Sequence, residues 1–132
     1  GRLVLPSRLK SVLPEASKKS IIVRKGFESN LILYPITEFQ NIYTRINSLN
    51  EFSSEQRQLK RNLFSGISQV DFDSNGRFLI PKNMISHCGI EKEVILIGVG
   101  NIIELWNPMK YKNNLIKDSK EFSSLAQKYL DI

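Results

Sequence analysis

The stretch DFDSNGRFLIPKNM, residues 71–84, runs through an acidic residue, a turn, an arginine, an apolar strand and a proline in quick succession. Val70 and Phe72 alternate with Asp71 and Asp73, which is the period of a half-buried strand. Asn75-Gly76 is a strong tight-hairpin signal, because both residues tolerate positive φ. Phe78 to Ile80 then predicts the return strand. Pro81 suits the first turn of a short helix, where its missing N–H costs nothing, and Gly89 is placed to end that helix.

The chain opens with GRLVLPSRLK, which repeats this phrase from its middle onward. Gly1-Arg2-Leu3-Val4-Leu5-Pro6 aligns with Gly76-Arg77-Phe78-Leu79-Ile80-Pro81 at an offset of 75, so Arg2 takes the place of Arg77. Farther on, LILYPITEF (31–39) resembles IELWNPMKY (103–111) at an offset of 72, matching Leu33 with Leu105, Tyr34 with Trp106 and Phe39 with Tyr111. A longer connector around residues 14–19 accounts for the change in offset. Two anchored blocks in the same order indicate a duplication.

Each copy reads as strand, short helix, two-strand hairpin and helix. EVILIGVGNIIELW (93–106) predicts two strands joined at Gly100-Asn101, and a long helix begins at Pro35 with Phe39, Ile42, Tyr43 and Ile46 on one stripe. Between the copies, SSEQRQLKRNLFSG (53–66) has the capping-box pair Ser53 and Gln56 and a stop at Gly66. Its Arg57, Lys60 and Arg61 form a basic side, read here as facing water more than DNA. A last helix, about 120–130, is expected to bury Phe122, Leu125, Ala126 and Tyr129. The domain reading is a first repeat at 1–50, a linking helix at 51–66, a second repeat at 67–118 and a C-terminal helix at 119–132. Neither copy has enough strands to cover its own core and edges. The economical solution is an α+β fold in which both copies interleave into one closed small barrel, a single folding unit.

The 132 residues suit one domain, and a composition of 41% apolar and 24% charged residues is that of a soluble globular protein. No apolar run approaches the ~20 residues of a membrane span, so no membrane association is expected. One cysteine, Cys88, excludes an internal disulfide and fits a reducing cytoplasm. The net charge of +6 is unevenly spread: residues 1–30 hold seven basic side chains against two acidic ones, whereas residues 71–132 hold eight of each. Positive charge gathered in one segment favours a polyanionic partner, and nucleic acid is the first candidate.

Few parts of an enzyme are visible. His87 and Cys88 are adjacent at a helix end and point about 100° apart, a poor geometry for a nucleophile with its base or for two ligands of one metal. GVG (98–100) lacks the third glycine and the following helix of a nucleotide-binding loop. No catalytic residue, metal site, cofactor or small-molecule substrate is expected. The Asp73-x-x-x-Arg77 unit is the most informative constellation, since a hairpin places the two side by side across the strands. The pair either locks the hairpin as an exposed ion pair or lets Asp73 orient the guanidinium, whose fork then grips a phosphate or reads guanine. Arg2 has Arg8 and Lys10 close by in the most basic segment, which tilts the first copy toward DNA.

DSNGRFLIP, NLILYPITEF, SSEQRQLKRNLFSG and EKEVILIGVGNIIELWNP, in this order and over nearly the whole chain, strongly resemble the MraZ family of transcriptional regulators of the bacterial division and cell-wall gene cluster. The resemblance implies two tandem AbrB-like repeats of the swapped-hairpin type in a pseudo-symmetric barrel with flanking helices. It implies subunits assembled into a ring on short direct repeats of double-stranded promoter DNA, a repressor's role, and a cytoplasmic, nucleoid-associated location. The family's DNA-contacting arginine matches Arg2, and its second motif matches Asp73 and Arg77. Gly1-Arg2 match the last two residues of the family's first turn, so the preceding strand and aspartate are expected to be missing from this sequence by truncation, cleavage or trimming. Two rival readings are an AbrB-type antitoxin paired with a toxin, and a non-catalytic ring assembly that binds a protein partner.

Overall fold

The computed structural model describes residues 2–4 and 19–132. Their strands are β1 (Arg2–Val4), β2 (Ser20–Lys25), β3 (Leu31–Tyr34), β4 (Ile67–Asp71), β5 (Arg77–Leu79), β6 (Ile95–Val99) and β7 (Ile102–Trp106). The helices are α1 (Ile36–Asn47), α2 (Ser54–Ser65), α3 (Lys82–Cys88), α4 (Pro108–Asn114) and α5 (Ser119–Leu130). The class is α+β. Five strands form one antiparallel sheet in the order β4-β2-β3-β7-β6, and β1 pairs with β5 in a separate antiparallel ribbon.

Strand pairing ties the early half of the chain to the late half. β2 and β3 are flanked by β4 on one side and by β7 and β6 on the other, and β1 takes β5 as its partner. The registers carry more information than the order. In the ribbon, Leu3 stands opposite Phe78, its own counterpart in the repeat, with Arg2 opposite Leu79 and Val4 opposite Arg77. In the sheet, Ile32 stands opposite its counterpart Glu104, with Leu31 opposite Leu105 and Leu33 opposite Ile103. An antiparallel pair of equivalent strands centred on equivalent residues is what a two-fold axis produces. The third ladder between the halves, β2–β4, pairs strands that are not equivalent, while the β1–β5 and β3–β7 ladders are thus each centred as an internal pseudo-two-fold requires. The aromatic contacts follow it too: Tyr34 meets Phe39 edge-on at 5.8 Å, and Trp106 meets Tyr111 in the same way at 5.9 Å.

The sheet is buried on both faces near its centre, which is why LILY in β3 reads as a continuous apolar run rather than an alternation. One face, with the ribbon and α3, forms the main core of Val23, Leu33, Phe78, Met84, Leu105 and their neighbours. Phe78 is 1% exposed, packs edge-on against Phe72 at 5.6 Å, and joins the ribbon to the sheet. The other face carries Ile22, Ile32 and Tyr34 under Phe39 and Ile42 of α1. In β5 the alternation is clean, with Phe78 buried between exposed Arg77 and Leu79.

Several expectations change. The sheet is not closed into a barrel: among the described residues β4 and β6 are edges, because the chain leaves the sheet after β4 and pairs β5 with β1 instead. Pro81 caps α3 rather than entering it, while Gly89 ends the helix in the left-handed region at φ 65° as expected. In α2, Ser53 accepts from the Gln56 amide, but the Gln56 side chain accepts from Asn50 N–H instead of returning to Ser53. The largest departure is α5. None of its residues is buried, and Phe122, Tyr129 and Leu130 are 62%, 71% and 68% exposed. A 3.6-residue period tells which face of a helix is apolar and nothing about what covers it.

Replacing Phe78 by Ala should cost about 3–5 kcal/mol of stability, read as a lower urea midpoint at unchanged slope. A loss below about 1 kcal/mol would mean that the ribbon is not anchored through this side chain.

Candidate nucleic-acid interface

The turn between β4 and β5 is built by Asp73. Gly76 N–H donates to the Asp73 carbonyl at 3.0 Å, and Asp73 N–H donates to the Arg77 carbonyl at 2.7 Å. Gly76 alone in this turn has positive φ, 75°. This is a three-residue loop closed by a left-handed glycine, not the two-residue turn that Asn75-Gly76 predicts. The reason is the carboxylate: Asp73 Oδ1 accepts from the amides of Asn75 and Arg77, both at 2.9 Å, and so wraps the chain into the wider turn.

The remaining carboxylate oxygen holds the arginine. Arg77 Nε donates to Asp73 Oδ2 at 3.0 Å. The Arg77 side chain is 45% exposed with its Nε engaged in this way. The bond ties the two strands together at the turn and fixes one edge of the guanidinium. The Arg77 amide, followed by the Asn75 amide and the guanidinium, holds the Asp73 carboxyl below its ordinary value, against a partial burial that pushes it up.

Arg77 and Arg2 occupy the same face of the β1–β5 ribbon. Residues facing one another across an antiparallel pair share a face, as do residues two apart along a strand. Arg2 opposite Leu79 and Arg77 opposite Val4 therefore lie diagonally on the face away from the Leu3–Phe78 pair. The repeat alone makes these arginines equivalent; the ribbon makes them neighbours. Arg8 and Lys10 lie outside the described residues. Lys82 is exposed at the start of α3. The available signal for the shared face was the offset of 75, had it been read as two equivalent strands pairing with each other.

Other constellations point away from chemistry. His87 Nε2 lies 3.1 Å from the Gly26 carbonyl, whereas the Cys88 thiol is fully buried and donates to the Met84 carbonyl at 3.1 Å. Burial pushes the Cys88 thiol above its ordinary value. Among the described residues no three His, Cys, Asp or Glu side chains are grouped to hold a metal. No helix among them is long and apolar enough to cross a membrane.

A family model described as "MraZ protein" and "antitoxin-like" matches this chain twice, at residues 1–62 and 63–131. The chain belongs to the MraZ family. The two matches state the duplication directly, and they meet inside α2. A protein of Cytophaga hutchinsonii named "Transcriptional regulator MraZ" is 49% identical over 130 residues, 98% of this chain and 86% of its own length. Proteins of the same name from Christiangramia forsetii and Finegoldia magna are 36% and 33% identical, covering 98% and 100% of this chain and 84% and 90% of their own lengths.

Because the native carboxyl of Asp73 titrates below the unfolded one, its stabilisation is present above the ordinary aspartate value of about 3.9. It is lost as the pH falls through the lower native value. The gap in urea midpoint between the wild type and Asp73→Asn should be widest near neutrality and should shrink from about pH 4 downward. A gap independent of pH would mean that the charge plays no part in the turn.

Proposed function

We propose that this chain is a DNA-binding transcriptional regulator that presents the outer face of the β1–β5 ribbon to double-stranded DNA. The observation that carries the reading is the placement of the two repeat-equivalent arginine positions, Arg2 and Arg77, on one face of a two-stranded ribbon. The major groove of B-DNA admits such a ribbon. Arg77, aimed by Asp73, grips a phosphate or the O6 and N7 edge of guanine, and Arg2 does the same from the first copy, with Arg8 and Lys10 on neighbouring phosphates. The names of the relatives support regulation of transcription.

The finer reading is a repressor of the division and cell-wall gene cluster. Its two swapped-hairpin copies, at 1–50 and 67–118, act as one folding unit with a linking helix at 51–66 and a C-terminal helix at 119–132. It works as a homo-oligomeric ring on short direct repeats in the promoter. One ribbon offers few contacts, so several copies in a ring gain affinity through effective concentration. A cyclic array of identical faces suits direct repeats as a two-fold dimer suits palindromes. No cofactor, small-molecule substrate or membrane enters this mechanism. A second reading, an antitoxin bound to a small toxic protein, is favoured by the "antitoxin-like" description of the family.

Titrating the protein against a labelled direct-repeat duplex and a scrambled one over a salt series tests this. Preference for the direct repeats is expected, with affinity falling as salt rises on a log–log slope of several units. Arg77→Ala should cost about 1–3 kcal/mol on the direct repeats if the side chain reads a base. If it holds a phosphate, both duplexes should weaken equally and the slope should fall by about 1. Equal, salt-independent binding of both duplexes would remove the DNA reading and leave the protein-binding assembly.

A further inference from the structure

The outer face of the β1–β5 ribbon is not uniformly basic. Its register sets position 2 opposite position 79 and position 4 opposite position 77. These positions form a two-by-two patch, since residues across an antiparallel pair and residues two apart on one strand share a face. The arginine positions 2 and 77 take one diagonal. The other diagonal is aliphatic, Val4 and Leu79, and the offset of 75 that equates Arg2 with Arg77 equates these two as well.

Leu79 is 54% exposed, whereas Phe78 beside it is 1% exposed and carries the contact of β5 with the core. A sheet with one face on the core and the other in water places polar residues at its outward positions. A single exposed leucine is ordinary on a protein surface. Branched aliphatics at both repeat-equivalent positions of one face, each opposite an arginine position, form a pattern. The edges of base pairs in the major groove present the same mixture. Guanine offers O6 and N7 to a guanidinium, while thymine offers the C5 methyl to an apolar side chain. Residues two apart on a strand are separated by about 6.8 Å, twice the ~3.4 Å rise of a base pair, so Arg77 and Leu79 span neighbouring base pairs.

We propose that Leu79 is a specificity-determining residue that packs against the C5 methyl of a thymine in the major groove, beside the guanine or phosphate held by Arg77. This rests on the reading of the ribbon as a DNA-binding face, and it assigns a base to an uncharged residue of that face. The leucine side chain has no hydrogen bond to give, so it selects by shape and by dryness. Against thymine it buries a methyl. Against cytosine it leaves the N4 amine facing hydrocarbon without an acceptor, which is costly. Arg77 supplies attraction to any phosphate or guanine within reach, and Leu79 restricts which neighbour that guanine has.

Removing the methyl and nothing else tests this. The labelled direct-repeat duplex is synthesised twice, with thymidine and with deoxyuridine at every thymidine position, and titrated with the wild type, Leu79→Ala and Leu79→Met. The wild type should prefer the thymidine duplex by about fourfold for each methyl that it covers. Leu79→Ala should bind both duplexes alike, at the affinity of the wild type for the deoxyuridine duplex, and Leu79→Met should keep the preference. Position 79 is exposed, so circular dichroism should show both variants folded, and Leu79→Ser replaces Leu79→Ala should the latter unfold. A wild type that binds the two duplexes equally overturns the proposal and leaves the DNA reading standing, whereas binding of neither duplex removes both. A Leu79→Ala protein that retains the full thymidine preference overturns the proposal as well. So does one that weakens equally on both duplexes and loses mass in light scattering, the result of a protein contact at this face.

Discussion

Leu3 faces Phe78 and Ile32 faces Glu104, each residue opposite its own counterpart in the repeat. The rest of the molecule depends on this constraint. Neither half, with three described strands in the first and four in the second, buries its own core or satisfies its own edges, so free hydrogen-bonding groups must find partners elsewhere. The other half is the partner at hand, and antiparallel pairing of like with like gives a pseudo-two-fold without further design. Once the axis is set, Phe78 necessarily points into the core with Leu3 beside it, and both repeat-equivalent arginine positions necessarily fall on the opposite face of the same ribbon.

The same geometry fixes an exposed arginine on the hairpin. Asp73 spends one oxygen on two backbone amides and the other on the guanidinium, so a single carboxylate shapes the turn and aims the cation. Little stability is needed from the ion pair for this. The energetic anchor is Phe78 one residue further on, fully buried and edge-on to Phe72. An exposed cation and a buried anchor thus follow one another along β5.

Departures from the two-fold are as informative as its observance. The position of Arg24 in β2, two residues along from the partner of Tyr34, is matched in β6 by Ile97, two along from the partner of Trp106. The Arg24 cation therefore belongs to the first half alone, and the uncovered helix belongs to the second. One half thus keeps a groove beside α1 and α2, and the other an uncovered helix.

The amino-acid sequence by itself determined the local pieces: the duplication, the alternation that marks β4 and β5, the stripe of α1, the cap at Ser53 and the stop at Gly89. These rest on interactions between residues a few positions apart, which periodicity and turn chemistry express directly. The Asn75-Gly76 hairpin is there as well, with Gly76 alone taking positive φ and the Asp73 carboxylate holding the amides of Asn75 and Arg77. What the tertiary structure decided was everything that joins distant residues. It opened the sheet where a closed barrel was expected, set positions 2 and 77 on one face of a ribbon, and left Phe122, Leu125 and Tyr129 in solvent although their spacing is that of a buried face. A helical or strand period records that a surface is apolar; which surface meets it is settled by long-range pairing, which no local pattern encodes.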